Sequence, residues 1–74
     1  MSKAYILITA KVGKTSETLK TVRRIKGVSE AYAVTGPYDI VAVVEAGTME
    51  ELGDVISRKI FPKVERAVAC LRIP

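Results

Sequence analysis

The stretch Ile40-Val41-Ala42-Val43-Val44 is apolar at every position. A strand that faces water on one side alternates apolar with polar residues, so an unbroken run predicts a central strand buried on both faces. That demand is severe for a chain of 74 residues. A domain of this size hides only about 60 % of the surface of its unfolded chain and is marginal without disulfides, metal or partner subunits. Cys70 is the only cysteine and histidine is absent, so neither an internal disulfide nor a zinc site is available. Yet 49 % of the residues are hydrophobic. Self-association is the first expectation, before any motif is considered.

The segments around the central run read as one domain. Ala4 to Val12 alternates Ala4, Ile6, Ile8, Ala10 and Val12 with Tyr5, Leu7, Thr9 and Lys11, which predicts a strand with two largely apolar faces. Gly13 breaks it, and Thr15 or Ser16 is placed to cap a helix whose first turn carries Glu17. Leu19, Val22 and Ile25 give that helix its apolar stripe, with Lys20, Arg23, Arg24 and Lys26 on the other side and Gly27 as the stop. The basic run reads either as a solvated helix face that complements the dipole or as a nucleic-acid patch, and it lacks the interleaved aromatics of the latter. Val28 to Thr35 alternates again, with Val28, Glu30, Tyr32 and Val34 on one face. A Gly36-Pro37 turn then leads into a strand over Tyr38 to Glu45. Thr48 and Glu51 stand in capping-box spacing, and Met49, Leu52, Val55, Ile56 and Ile60 mark a second helical face that Pro62 ends. Asp54 and Arg58 form an i,i+4 pair. The last strand, about Val64 to Ile73, sets Ala67, Ala69, Leu71 and Ile73 against Val64, Arg66, Val68, Cys70 and Arg72.

The order strand, helix, strand, strand, helix, strand predicts an α+β, ferredoxin-like βαββαβ sandwich. The crossover rule places both helices on one face of a four-stranded antiparallel sheet. The other face is then bare and apolar, and a second sheet from an identical subunit is its simplest cover. The predicted assembly is a dimeric α+β barrel.

Several functions are disfavoured by composition. Twelve Lys and Arg against eight Asp and Glu leave a formal charge of +4, which favours acidic partners weakly. No run approaches the roughly 18 apolar residues of a membrane span, and no signal-peptide flanks are present, so a cytoplasmic protein with no membrane partner is expected. Neither a catalytic constellation nor a metal or cofactor site is predicted. Direct DNA recognition is not expected either, for want of a reading helix.

The most specific stretch is Thr35-Gly36-Pro37-Tyr38-Asp39, entering the most apolar strand. Gly and Pro suit a tight turn, but Asp39 needs its own reason. A carboxylate at the head of such a strand either caps turn amides or faces a polar ligand. In context this turn resembles that of the Lrp/AsnC family of feast-or-famine transcriptional regulators, whose effector (RAM) domain has a Gly-x-(Tyr/Phe)-Asp turn between its second and third strands. The resemblance covers the whole chain. It includes Ile25-Lys26-Gly27-Val28, Thr48-x-x-Glu51-Leu52 and Phe61-Pro62-Lys63-Val64-Glu65-Arg66, in order and at matching spacing. Family members usually carry an N-terminal helix-turn-helix domain, whereas here the first strand begins at Ala4, so residues 1–74 are expected to form one effector domain without it.

The resemblance implies sheet-to-sheet dimers that assemble into octameric or decameric rings, with an amino-acid effector bound between neighbouring dimers. It also implies partnership with full-length Lrp/AsnC proteins. Carried onto this chain, Gly36 and Pro37 let backbone approach the ligand, Tyr38 packs or donates, and Asp39 faces the α-ammonium. Thr35 and Tyr5 are further lining candidates. Ala67 and Ala69 stand where many members have two threonines, and losing two ligand hydroxyls would cost about 0.5–1.5 kcal/mol each. The expected function is a non-catalytic amino-acid-sensing and oligomerisation module that modulates transcription. The alternative is a small dimeric α+β-barrel enzyme drawing on Asp39, Tyr5, Tyr32, Tyr38, Glu30 and Cys70, no two of which are spaced so as to require a shared site. Cys70 itself reads as a small core residue rather than a nucleophile. An RNA-binding module of this topology would display aromatics on its third strand, and Ile40 to Val44 has none.

Overall fold

A computed structural model describes residues 1–73. Four strands, β1 (Ser2–Thr9), β2 (Val28–Ala33), β3 (Ile40–Ala46) and β4 (Arg66–Leu71), form one antiparallel sheet in the order β2-β3-β1-β4. The unbroken apolar run is thus central, paired with β1 on one side and β2 on the other. Helix α1 (Thr15–Arg23) and helix α2 (Met49–Asp54) cover one face. Ile6, Ile8, Ile40 and Val44 from the central strands meet Val22, Leu52 and Ile60 from the helical layer, all fully buried.

Where periodicity sets burial, the expectations hold. Leu19, Val22 and Ile25 pack inward from α1 and its following turn, and Leu52, Val55, Ile56 and Ile60 from the second helical region. Thr48 caps α2, its Oγ1 accepting from the Glu51 amide at 3.1 Å, and Arg58 lies 3.7 Å from Asp54. Met49 is the exception on that stripe. It is more than half exposed, because the helix enters the layer only at Leu52.

Where partners set the geometry, the expectations shift. β1 stops at Thr9 rather than Val12, because Ala10 gives its amide to the Asp39 side chain instead of a neighbouring strand. Neither Thr15 nor Ser16 caps α1; Lys14 holds the N-cap position, with no side-chain cap bond. The helix also ends at Arg23, ahead of Gly27, as the amides of Arg24 and Ile25 turn back three residues to Thr21 and Val22. β2 carries a bulge between Val28 and Glu30, so its faces are not those of simple alternation. Ala31 is buried while Glu30 and Tyr32 lie on the helix-free side, opposite Val43 and Val41; Val34 and Thr35 lie beyond the strand.

After Asp54 the helix widens into a π-helical segment, Val55–Ile60, followed by a 3-10 turn at Phe61–Lys63. The Phe61 amide reaches Ile56 O, five residues back. Pro62 has no amide with which to continue the helix. β4 accordingly begins at Arg66, two residues later than expected, and ends at Leu71.

The helix-free face presents Tyr5 and Leu7 from β1, Val41 and Val43 from β3, Tyr32 from β2, and Val68 and Cys70 from β4. Tyr5 is 41 % and Val68 42 % exposed. Cys70 is exposed on this face, not a core residue within the chain, because no second layer covers it.

Candidate functional site

The turn between β2 and β3 projects from one end of the sheet. Gly36 has φ 133°, a left-handed backbone that favours glycine, and no neighbouring atom would obstruct a side chain there. Thr35, Gly36 and Pro37 are exposed, while Tyr38 and Asp39 are half-buried. Asp39 anchors the turn through three bonds. Its amide donates to Ile8 O at 2.9 Å, its carbonyl accepts from the Val34 amide at 2.8 Å, and its Oδ2 accepts from the Ala10 amide at 2.8 Å.

Asp39 therefore caps a backbone amide, the first of its two possible roles. The second is not used up by the first. A carboxylate accepts at both oxygens, and among the described residues Oδ1 has no hydrogen-bond partner. Capping fixes the position of the carboxylate and leaves one oxygen free at the end of the sheet.

The same end gathers other chain segments. Thr9, between Ile8 and Ala10, the two residues that Asp39 bonds, pairs with Arg66 of β4, and Ile8 pairs with Ala67. Ala67 is thus separated from the β3 end of the turn by one strand, about 10 Å. Ala69 lies opposite Ile6, about 7 Å further along β4, on the side that carries the helices. Ala69 is nonetheless exposed, because the helical layer does not extend over that part of β4. Tyr5 is farther off, flanked by Val43 and Cys70 on the helix-free face. One chain therefore brings Thr35 to Asp39 together as a loop, sets Ala67 and Ala69 across β1 from it, and leaves Tyr5 out. Sequence reasoning missed Thr9 and Arg66. Arg66 is an exposed cation at this end, and only the β1–β4 register reveals its place.

The groups considered for catalysis do not converge. The Tyr32 hydroxyl donates to Glu30 Oε1, and Tyr5 lies beside Cys70, but neither pair is hydrogen-bonded to the turn. The bond to Glu30 and its negative charge raise the Tyr32 pKa above the ordinary tyrosine value, against a smaller opposing effect of Arg23. Among the described residues no group of three His, Cys, Asp or Glu is placed to hold a metal ion. No helix there is long and apolar enough to cross a membrane.

Comparison with known proteins gives a consistent pattern. A family model described as the Lrp/AsnC ligand binding domain matches residues 3–71. A helix-turn-helix-type transcriptional regulator from Methanocaldococcus jannaschii is 35 % identical over 54 residues, which cover 73 % of this chain and 36 % of the regulator. The matched part is thus about a third of that protein's length. TTHA0845 from Thermus thermophilus superimposes with a TM-score of 0.90 at 34 % identity, covering 100 % of this chain and 95 % of that one. For the hypothetical protein PHS023 from Pyrococcus horikoshii the TM-score is 0.89 at 32 % identity, covering 100 % and 92 % respectively.

Proposed function

Because the chain belongs to the family of Lrp/AsnC ligand-binding domains, a regulatory and not a catalytic family, we propose that it is a cytoplasmic amino-acid-sensing and oligomerisation module, modulating transcription by assembling with itself or with full-length relatives. The observation that carries the sensing half is the state of Asp39: it is fixed by three bonds to the backbone, with one carboxylate oxygen left for a ligand. A zwitterion needs an anion near its amine and donors near its carboxylate. Asp39 supplies the first, with Thr35, Gly36, Pro37 and Tyr38 around it, and Arg66 is suited to the second. Ala67 and Ala69 supply no hydroxyl, so the site favours a ligand with an apolar side chain and binds it more weakly than a pair of threonines would.

The loop and the alanines do not enclose a ligand within one chain. This supports a site completed by a neighbouring subunit, and the helix-free apolar face supports the dimer from which such assemblies grow. If each subunit buries roughly 600 Å2 of apolar area there, the gross gain is on the order of 15 kcal/mol at about 25 cal/mol/Å2.

The test is a thermal-shift panel of the common amino acids on the whole chain and on Asp39→Asn. The amide keeps an acceptor for the Ala10 N–H and removes the charge, so it separates binding from capping. A ligand at about 100 times its Kd adds roughly 2.7 kcal/mol, and each kcal/mol raises the midpoint of so small a domain by about 4–8 °C. The expected result is a shift with an apolar amino acid that Asp39→Asn abolishes while its own midpoint stays near the parent's. No shift with any amino acid at millimolar concentration would sink the sensing half of the proposal.

A further inference from the structure

The helical side of the molecule carries a groove of ≈ 430 Å3 lined by Thr21, Arg24, Ile25, Lys26, Lys59 and Lys63. Its cations come from two stretches far apart in sequence, the turn after α1 and the π-helical and 3-10 end of the second helical region. No carboxylate lines it. All four cations are exposed, and the ion pairs among the described residues involve none of them. Setting these four aside leaves equal numbers of cationic and acidic side chains in a chain whose formal charge is +4. The groove thus holds as many cations as the chain's net charge, and on its far side Lys26 and Lys59 also border a second groove that carries Glu45, Glu51 and Asp54 without an ion pair to either lysine.

Helix-end electrostatics accounts for only part of the cluster. Arg24 is the C-cap of α1, and Lys59 stands in the last turn of the π segment, where a cation offsets exposed carbonyls. Lys63 stands in the last turn of the 3-10 segment and is served by the same effect, but Lys26 lies beyond the end of α1, outside its reach. The adjoining groove gives the contrast. It shares Thr21 and Lys63, but its own Lys11 and Lys14 lie 3.8 and 3.6 Å from Glu65 and Glu17.

We infer that the groove lined by Arg24, Lys26, Lys59 and Lys63 binds a small, multiply charged anion of the diphosphate class. Two adjoining phosphoryl groups carry enough negative charge to engage several cations at once, through the guanidinium fork of Arg24 and the ammonium groups of the lysines, with the Thr21 hydroxyl as a further donor. The volume suits a small ligand. A nucleic-acid backbone fits less well, because continuing past Lys63 it would meet Glu17 and Glu65. This site is independent of the effector reading at the turn.

Calorimetric titration of the whole chain with inorganic pyrophosphate at low salt, repeated at higher salt, tests the assignment. Binding should weaken as salt rises, and Lys26→Gln with Lys59→Gln should weaken it about tenfold or more. Lys14→Gln, outside the groove, should leave affinity unchanged. ATP should compete with pyrophosphate, since it presents the same group. Absence of binding at millimolar pyrophosphate, or equal affinity in the double variant, would overturn the proposal. So would tight binding of duplex DNA that pyrophosphate fails to displace, which would make the surface a nucleic-acid contact.

Discussion

At the scale of residues, position decides what otherwise similar side chains do. Gly27 and Gly36 both have positive φ, but a Cβ on Gly27 would stand 3.1 Å from Cγ2 of Val55, whereas one on Gly36 would meet open space. Gly36→Ala should then cost about 1–2 kcal/mol for the backbone alone. Gly27→Ala should cost more in urea unfolding, and equal costs would show that Val55 yields freely. Among the described residues Tyr32 is the one tyrosine whose hydroxyl is bonded to a carboxylate. In ultraviolet titration Tyr32 should ionise above the ordinary tyrosine value of 10.0, and Glu30→Gln should lower its pKa. The sign follows from linkage: the folded state holds this proton more tightly, so any stabilisation is present below pH 10 and is lost as pH rises through the folded value. The sequence left Asp39 between capping an amide and facing a ligand. Its cap is made to Ala10, 29 residues away, which no local pattern can display.

At the scale of elements, the two helices differ at their starts. Thr48→Ala removes the acceptor of the Glu51 amide and should cost about 1 kcal/mol. Thr15→Ala and Ser16→Ala should be near neutral at the same ionic strength, although all three look like caps in sequence; a comparable loss at either would contradict the α1 geometry. The sheet edges differ as well. On β2 the bulge interrupts the ladder, and Arg23 donates to Ala31 O through Nε at 3.1 Å and Nη2 at 2.8 Å, which occupies a strand carbonyl from the helical side. These devices hinder further strand pairing. β4 has neither, and its exposed Ala69 and Leu71 lie at the edge. Helical stripes and the central strand were legible because burial repeats every three to four residues or fills a run. The bulge and the π segment were not, since each answers to packing across the sheet.

At the scale of the molecule, one bare face remains after the chain has used both its helical regions on the other. Val68→Lys places a charge on that face at an exposed edge position and should leave the single-chain fold intact. Sedimentation should then show a dimer or a multiple of dimers for the parent and a monomer for the variant at micromolar concentration. An unchanged mass would remove this face from the assembly.

By itself the sequence determined the order of the elements, the central strand, the inward faces of both helical regions and the turn that marks the family. These are local, because a strand or helix repeats its burial within a few neighbours. Only the tertiary structure decided that Asp39 holds Ala10, that Arg66 shares the end of the sheet with the turn, and that Arg24 and Lys26 meet Lys59 and Lys63 in one groove. Those juxtapositions depend on strand register and on how two helical regions settle side by side, and both are set by packing between segments distant in the chain.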